Sequence, residues 1–150
     1  MEQAEELRFL ILAIQREGNR ILAAALRPLG LTPSQAEVLS VLGTRAPMTL
    51  SGLGDMLVCE TSASPSRLVD RMVGMGLVAR KESSADRRFI TLDLTPAGRK
   101  LLPRVKAAEE ELHQELDRLT HGQPIAEALT ALRAVAAAFP SGRVLERRRG

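Results

Sequence analysis

The chain has 150 residues, enough for one compact domain with a few flanking helices, and 45% of them are hydrophobic, as in an ordinary globular protein. With three Phe, no Trp and no Tyr the core has to be aliphatic, which favours helices packed on helices over a β-sandwich, and the single Cys59 excludes an internal disulfide. The net charge of +3 is concentrated in the middle, where residues 45–100 carry nine basic and six acidic side chains.

The chain begins with Glu2, Glu5 and Glu6, where a secretory signal would need a basic stretch, and no apolar run reaches the ~20 residues of a membrane span. A cytoplasmic protein with no membrane partner is expected. Residues 5–27 predict a long helix, with Leu7, Ile11, Ile14, Ile21, Leu22, Ala25 and Leu26 mostly at three- and four-residue steps, stopped by Pro28 and Gly30. Thr32, Pro33 and Gln35 form a cap, a first-turn proline and a capping box for a helix over 34–42, which Gly43 should end. Thr49 caps a short helix through Leu53, Met56 and Leu57. Hydroxyl-rich residues 61–66 open a further helix, predicted over 62–75, with Leu68, Val69 and Met72 on its buried side and Gly76 as its left-handed stop.

From Leu77 the apolar period becomes two. Residues 77–82 and 89–94 predict two strands of a hairpin whose charged tip is residues 83–88. Thr95-Pro96 repeats the cap-plus-proline device and starts a helix to about residue 119, with Pro103 inside it as a source of a kink. Its stripe of Leu101, Leu102, Val105, Ala108, Leu112, Leu116 and Leu119 is hard to cover within so small a chain. A last helix is predicted over 125–139, ended by Pro140. The fold class expected is mainly α (α+β): a winged helix-turn-helix core over 32–98 with a β-hairpin wing. Dimerisation helices over 1–30 and 100–140 flank it, and a flexible basic tail over 141–150 follows. Leu7, Ile11, Ile14, Leu112, Leu116, Leu129 and Leu132 are the expected dimer contacts.

The helix over 62–75 presents Ser62, Ser64, Ser66, Arg67, Asp70 and Arg71 on its polar side. Short hydroxyls near its N-terminus suit a helix end pressed into a major groove, where Ser bonds phosphates or base edges and Arg forks onto guanine. On the hairpin, Arg80, Lys81, Arg87 and Arg88 are long cations able to reach a minor groove, with Asp86 as the internal carboxylate that aims Arg88.

Taken together, Ser66-Arg67-Leu68-Val69-Asp70-Arg71, Gly76-Leu77-Val78, Asp86-Arg87-Arg88 and Leu94-Thr95-Pro96-Ala97-Gly98-Arg99 closely resemble the MarR family of bacterial regulators, and the outer helices match it in order and length. The resemblance implies an obligate homodimer, a recognition helix over 62–75 and a wing that puts Arg88 in the minor groove. It also implies a small amphipathic effector held between the DNA-binding and dimerisation regions, near residues 10–21, Leu39 and 101–105, whose binding releases DNA. Two departures stand out: residues 57–65 are about one residue longer than the family's usual turn and include Pro65, and the absence of Tyr and Trp leaves mostly aliphatic and Met side chains to line an effector pocket.

The leading reading is a sequence-specific regulator, a repressor relieved by a ligand, that binds a pseudo-palindromic duplex; the alternative is an architectural or nonspecific DNA-binding protein. An enzyme has little support, since no Gly-rich phosphate loop or nucleophile–base motif occurs, and no cofactor is expected. Glu109, His113, Asp117 and His121 recur at four-residue steps, a spacing that can hold zinc, but without a further His they read as a solvated helix face. Cys59 reads as an ordinary, partly buried cysteine: peroxide-sensing relatives carry theirs in the first helix, and neighbouring Glu60 disfavours the thiolate.

Overall fold

A computed structural model describes residues 1–59, 63–82 and 89–150. Among them the order is α1 (Gln3–Leu26), a 3-10 turn (Arg27–Leu29), α2 (Pro33–Arg45), β1 (Met48–Thr49), α3 (Leu50–Gly54), α4 (Pro65–Gly74), β2 (Val78–Glu82), β3 (Ile90–Leu94), α5 (Pro96–Thr120), α6 (Ile125–Ala136) and α7 (Pro140–Arg149). The result is mainly helical, with one small sheet and the winged helix-turn-helix order of α2, α3, α4 and the β2–β3 hairpin.

One capping device recurs. Thr32, Thr49, Ser64 and Thr95 each hold extended backbone and accept the amide of the residue three ahead, at 3.3, 3.0, 3.3 and 3.0 Å. A hydroxyl there satisfies one of the first-turn N–H groups that have no helical partner. At Thr32 the box closes, because its own N–H donates to Gln35 Oε1 at 3.0 Å. Pro33, Pro65 and Pro96 fill first-turn positions where the missing N–H costs nothing.

The sheet is antiparallel in the order β1-β3-β2, with Met48 opposite Leu92 and Val78 opposite Leu94. Leu92 and Leu94, two residues apart on one face of β3, are buried in the core, while Arg80 and Lys81 toward the end of β2 are exposed. The core gathers Leu26, Leu39, Leu42, Leu53, Met72, Leu92 and Val105, so all of the helix-turn-helix and the start of α5 share one aliphatic cluster. Gly98 lets α5 begin against the strand: a Cβ there would collide with the Leu77 carbonyl oxygen.

Several predicted boundaries are corrected. Gly43 does not end α2; it lies inside the helix, where a Cβ would stand 2.7 Å from Leu102 Cδ1 of α5, so its role is close packing. The helix predicted over 62–75 starts at Pro65 with Ser64 as cap, three residues later than residue 62. The last predicted helix is shorter, with α6 stopping at Ala136, and Pro140, expected only to end it, starts a further helix, α7. Residues 141–150, expected as a flexible basic tail, are helical through Arg149 because their arginines find partners on the core.

Candidate nucleic-acid interface

Helix α4 is amphipathic over its whole length. Leu68, Val69 and Met72 are buried, and Ser66, Arg67, Asp70 and Arg71 form an exposed face at one- and three-residue steps. Ser64 spends its hydroxyl on the Arg67 amide, so its oxygen serves the helix cap, while Ser66 is exposed. Arg67 and Arg71 border a groove of about 480 Å³ that also touches Thr32 and Gln35 at the start of α2. Two guanidinium groups one helical turn apart beside a groove suit contacts to a phosphate backbone and to base edges.

On the hairpin, Lys81 is exposed opposite Thr91. Arg80 has a different place from a free DNA-reaching cation: its guanidinium is paired with the Asp70 carboxylate of α4. The pair joins β2 to α4 at the exposed surface. Ser62, Asp86, Arg87 and Arg88 lie outside the described residues.

Behind α4, the segment that leads into it is held by a carboxylate. Glu37 of α2 is buried, with 8% of its side chain exposed. The N–H groups of Val58 and Cys59 both donate to its Oε1 at 2.9 Å, and Arg148 of α7 donates from Nη1 to Oε2 at 2.9 Å. Beside it, Arg147 Nη2 donates to the Asp55 carbonyl at 2.9 Å, and Arg45 Nη2 donates to the Arg147 carbonyl at 3.0 Å. The sequence reading passed over Glu37 and Arg148. The one local signal was a carboxylate set between the apolar Ala36 and Val38, on the buried side of α2. Cys59 is exposed as a residue rather than partly buried. Its thiol is nevertheless pushed up to about 11, by burial among its neighbours first and then by the Glu37 carboxylate, with Arg148 acting the other way.

The expected dimer contacts fall on uncovered faces. Leu7, Ile11 and Ile14 of α1 are exposed, Ile14 by 62%, and Leu26 is the one buried residue of that helix. No residue of α6 is buried, and Leu129 and Leu132 are each 41% exposed although the helix is apolar. On α5, Leu116 is exposed, whereas Leu112 is half-buried within its own chain, 3.7 Å from where a Cβ on Gly18 would stand. His113 stands 3.8 Å from Glu110, Glu109 accepts from Ser40, and no group among the described residues could hold a metal ion. No helix among the described residues is long and apolar enough to cross a membrane.

Fold and exposed face define a winged-helix DNA-binding protein, and the winged helix DNA-binding domain model matches residues 31–98. The chain is 30% identical over 110 residues to the multiple antibiotic resistance protein MarR of Escherichia coli K12, covering 73% of this chain and 76% of that one. It is 31% identical over 114 residues to the uncharacterized HTH-type transcriptional regulator YsmB of Bacillus subtilis, covering 75% and 73%. The chain belongs to the MarR family of DNA-binding transcriptional regulators. Among solved structures it is similar to a mutant of E. coli MarR, with one cysteine replaced by serine, complexed with operator DNA; the TM-score is 0.77, with 27% identity and coverage of 90% and 99%. Against wild-type E. coli MarR in its apo form the TM-score is 0.68, with 28% identity and coverage of 86% and 96%. The repressor CouR bound to a 23-mer DNA duplex gives 0.73 at 29% identity, covering 89% and 94%.

Proposed function

We propose that the chain is a homodimeric, sequence-specific transcriptional repressor that reads a pseudo-palindromic duplex and is released from it by a small effector. The observation that carries this is the pairing of an exposed, Arg-bearing α4 face with uncovered apolar faces on α1 and α6. Two copies joined through α1, α5 and α6 present two recognition helices about a two-fold axis, which demands two half-sites about one helical turn apart. In this reading Ser66, Arg67 and Arg71, with Ser62 and Ser64 at the helix start, address the major groove. Lys81, Arg87 and Arg88 of the wing reach the backbone and minor groove, Asp86 aims Arg88, and Arg80 joins them once it leaves Asp70. A repressor role is supported by the naming of relatives such as CouR and MarR as repressors.

The effector site proposed is a cavity of about 510 Å³ bordered by α1, α5, α7 and the segment before α4. Ile14, Leu22, Leu112 and Leu116 supply apolar walls, and Glu37 and Arg148 a charged end, which suits an amphipathic molecule. It takes the expected stretch of α1 but sits further along α5 than residues 101–105. An effector acts there only through different affinities for the two dimer shapes. Gel-shift titration tests the DNA reading: Arg88→Ala and Arg67→Ala should each weaken the selected duplex by roughly 1–3 kcal/mol. Equal affinity for random competitor DNA would instead support the nonspecific alternative.

A further inference from the structure

We propose that Glu37 and Arg148 are positioning residues for DNA recognition: together they clamp the segment before α4 in its DNA-reading arrangement and tie it to the dimerisation helix α6. Among the described residues the contacts run from α6 to the stretch just past α3. α7 begins directly against the end of α6, where a Cβ on Gly142 would collide with the Ala136 carbonyl. From there Arg148 reaches Glu37, and Arg147 reaches the carbonyl of Asp55 just past α3.

Glu37 then holds two successive amides, Val58 and Cys59, in the stretch that leads to the α4 cap at Ser64. The Arg148 guanidinium bonds the second oxygen of the same buried carboxylate whose first oxygen takes both amides, so one side chain joins α7 to this stretch. The arginine is 31% exposed and is supplied from 111 residues away, by a helix that adds only Val144 to the buried set.

The test uses the full chain and the duplex that the wild type selects from a random-sequence pool. Operator affinity is measured over a salt series, with amide hydrogen exchange at Val58 and Cys59 followed without DNA. Arg148→Ala should weaken binding by about tenfold at every salt concentration, with the salt slope unchanged. The Val58 and Cys59 amides should exchange faster while those of the α2 interior do not. In a Glu37→Gln background, Arg148→Ala should add less than about twofold, because the partner it acts through is already altered, and Arg148→Lys should restore part of the affinity.

A salt slope lowered by about one, with the loss persisting in the Glu37→Gln background, would make Arg148 a phosphate contact and overturn the proposal. Unchanged affinity with only a lower melting temperature would overturn it too, by reducing the pair to a stabilising contact. Should Arg148→Ala not fold, Arg148→Lys and Glu37→Gln in the same measurements decide between these results. The exchange arm needs no DNA, so it stands apart from the reading of operator specificity.

Discussion

A thiol near a buried carboxylate is a poor nucleophile, and Cys59 is placed that way. Raised to about 11, it should alkylate with iodoacetamide on the order of tenfold more slowly at neutral pH than a free thiol, accelerating as pH rises toward 11. A rate matching free thiol would contradict the placement. Low reactivity was expected from Glu60, which lies outside the described residues; among the described ones burial acts first and Glu37, distant in sequence and brought near by folding, acts next. Two glycines make opposite predictions. Gly98 has no room for a side chain beneath the Leu77 carbonyl, so Gly98→Ala should destabilise by roughly 1–3 kcal/mol in chemical denaturation. Gly18 faces Leu112 at an ordinary 3.7 Å, so Gly18→Ala should stabilise by up to about 1 kcal/mol through helix propensity. A glycine inside a helix is costly by type, but only the packing of α1 on α5 tells whether the space is needed.

Helix starts were the most legible feature, because a cap is a local chemical event. Thr32, Thr49 and Thr95 announce their helices within three residues, and the folded chain uses them so. Thr95 does more than cap: its hydroxyl also donates to the Gly76 carbonyl at 2.6 Å, joining the end of α4 to the start of α5. Thr95→Ala should cost about 1–2 kcal/mol in denaturant melts, and Thr95→Ser should recover most of it. Ends were less legible. Gly43 looks like a stop by type, yet α2 runs past it because Leu102 of α5 needs the space. α4 begins at Pro65 rather than near residue 62, since proline is favoured at a first helical position and Ser64 is a sufficient cap. Most hidden was α7. Its arginines read as a solvated tail because their partners, Glu37 and the carbonyl of Asp55, lie 111 and 92 residues away.

At the scale of the molecule, apolar area decides the assembly. α6 buries none of its residues against its own chain, and α1 buries one. Faces of this kind mark an interface in a protein of this size. A double substitution Leu129→Glu, Leu132→Glu should place unpaired carboxylates in that interface at a cost of roughly 3 kcal/mol or more, giving a monomer by sedimentation. Persistence of a stable dimer would move the interface elsewhere. The winged core was legible at this scale because residues 62–94 carry both its helical and its strand periods. The contacts from α7 to Glu37 and Asp55 were not, because they join chain segments far apart.

The central claim is that this chain reads DNA as a two-fold dimer through α4 and the wing. The most direct measurement is sequencing of the duplexes retained by purified protein from a random pool. The account predicts a pseudo-palindrome whose half-sites are separated by about one helical turn, roughly 10 base pairs centre to centre. Retained DNA without an enriched sequence, or with a single asymmetric site, would contradict it.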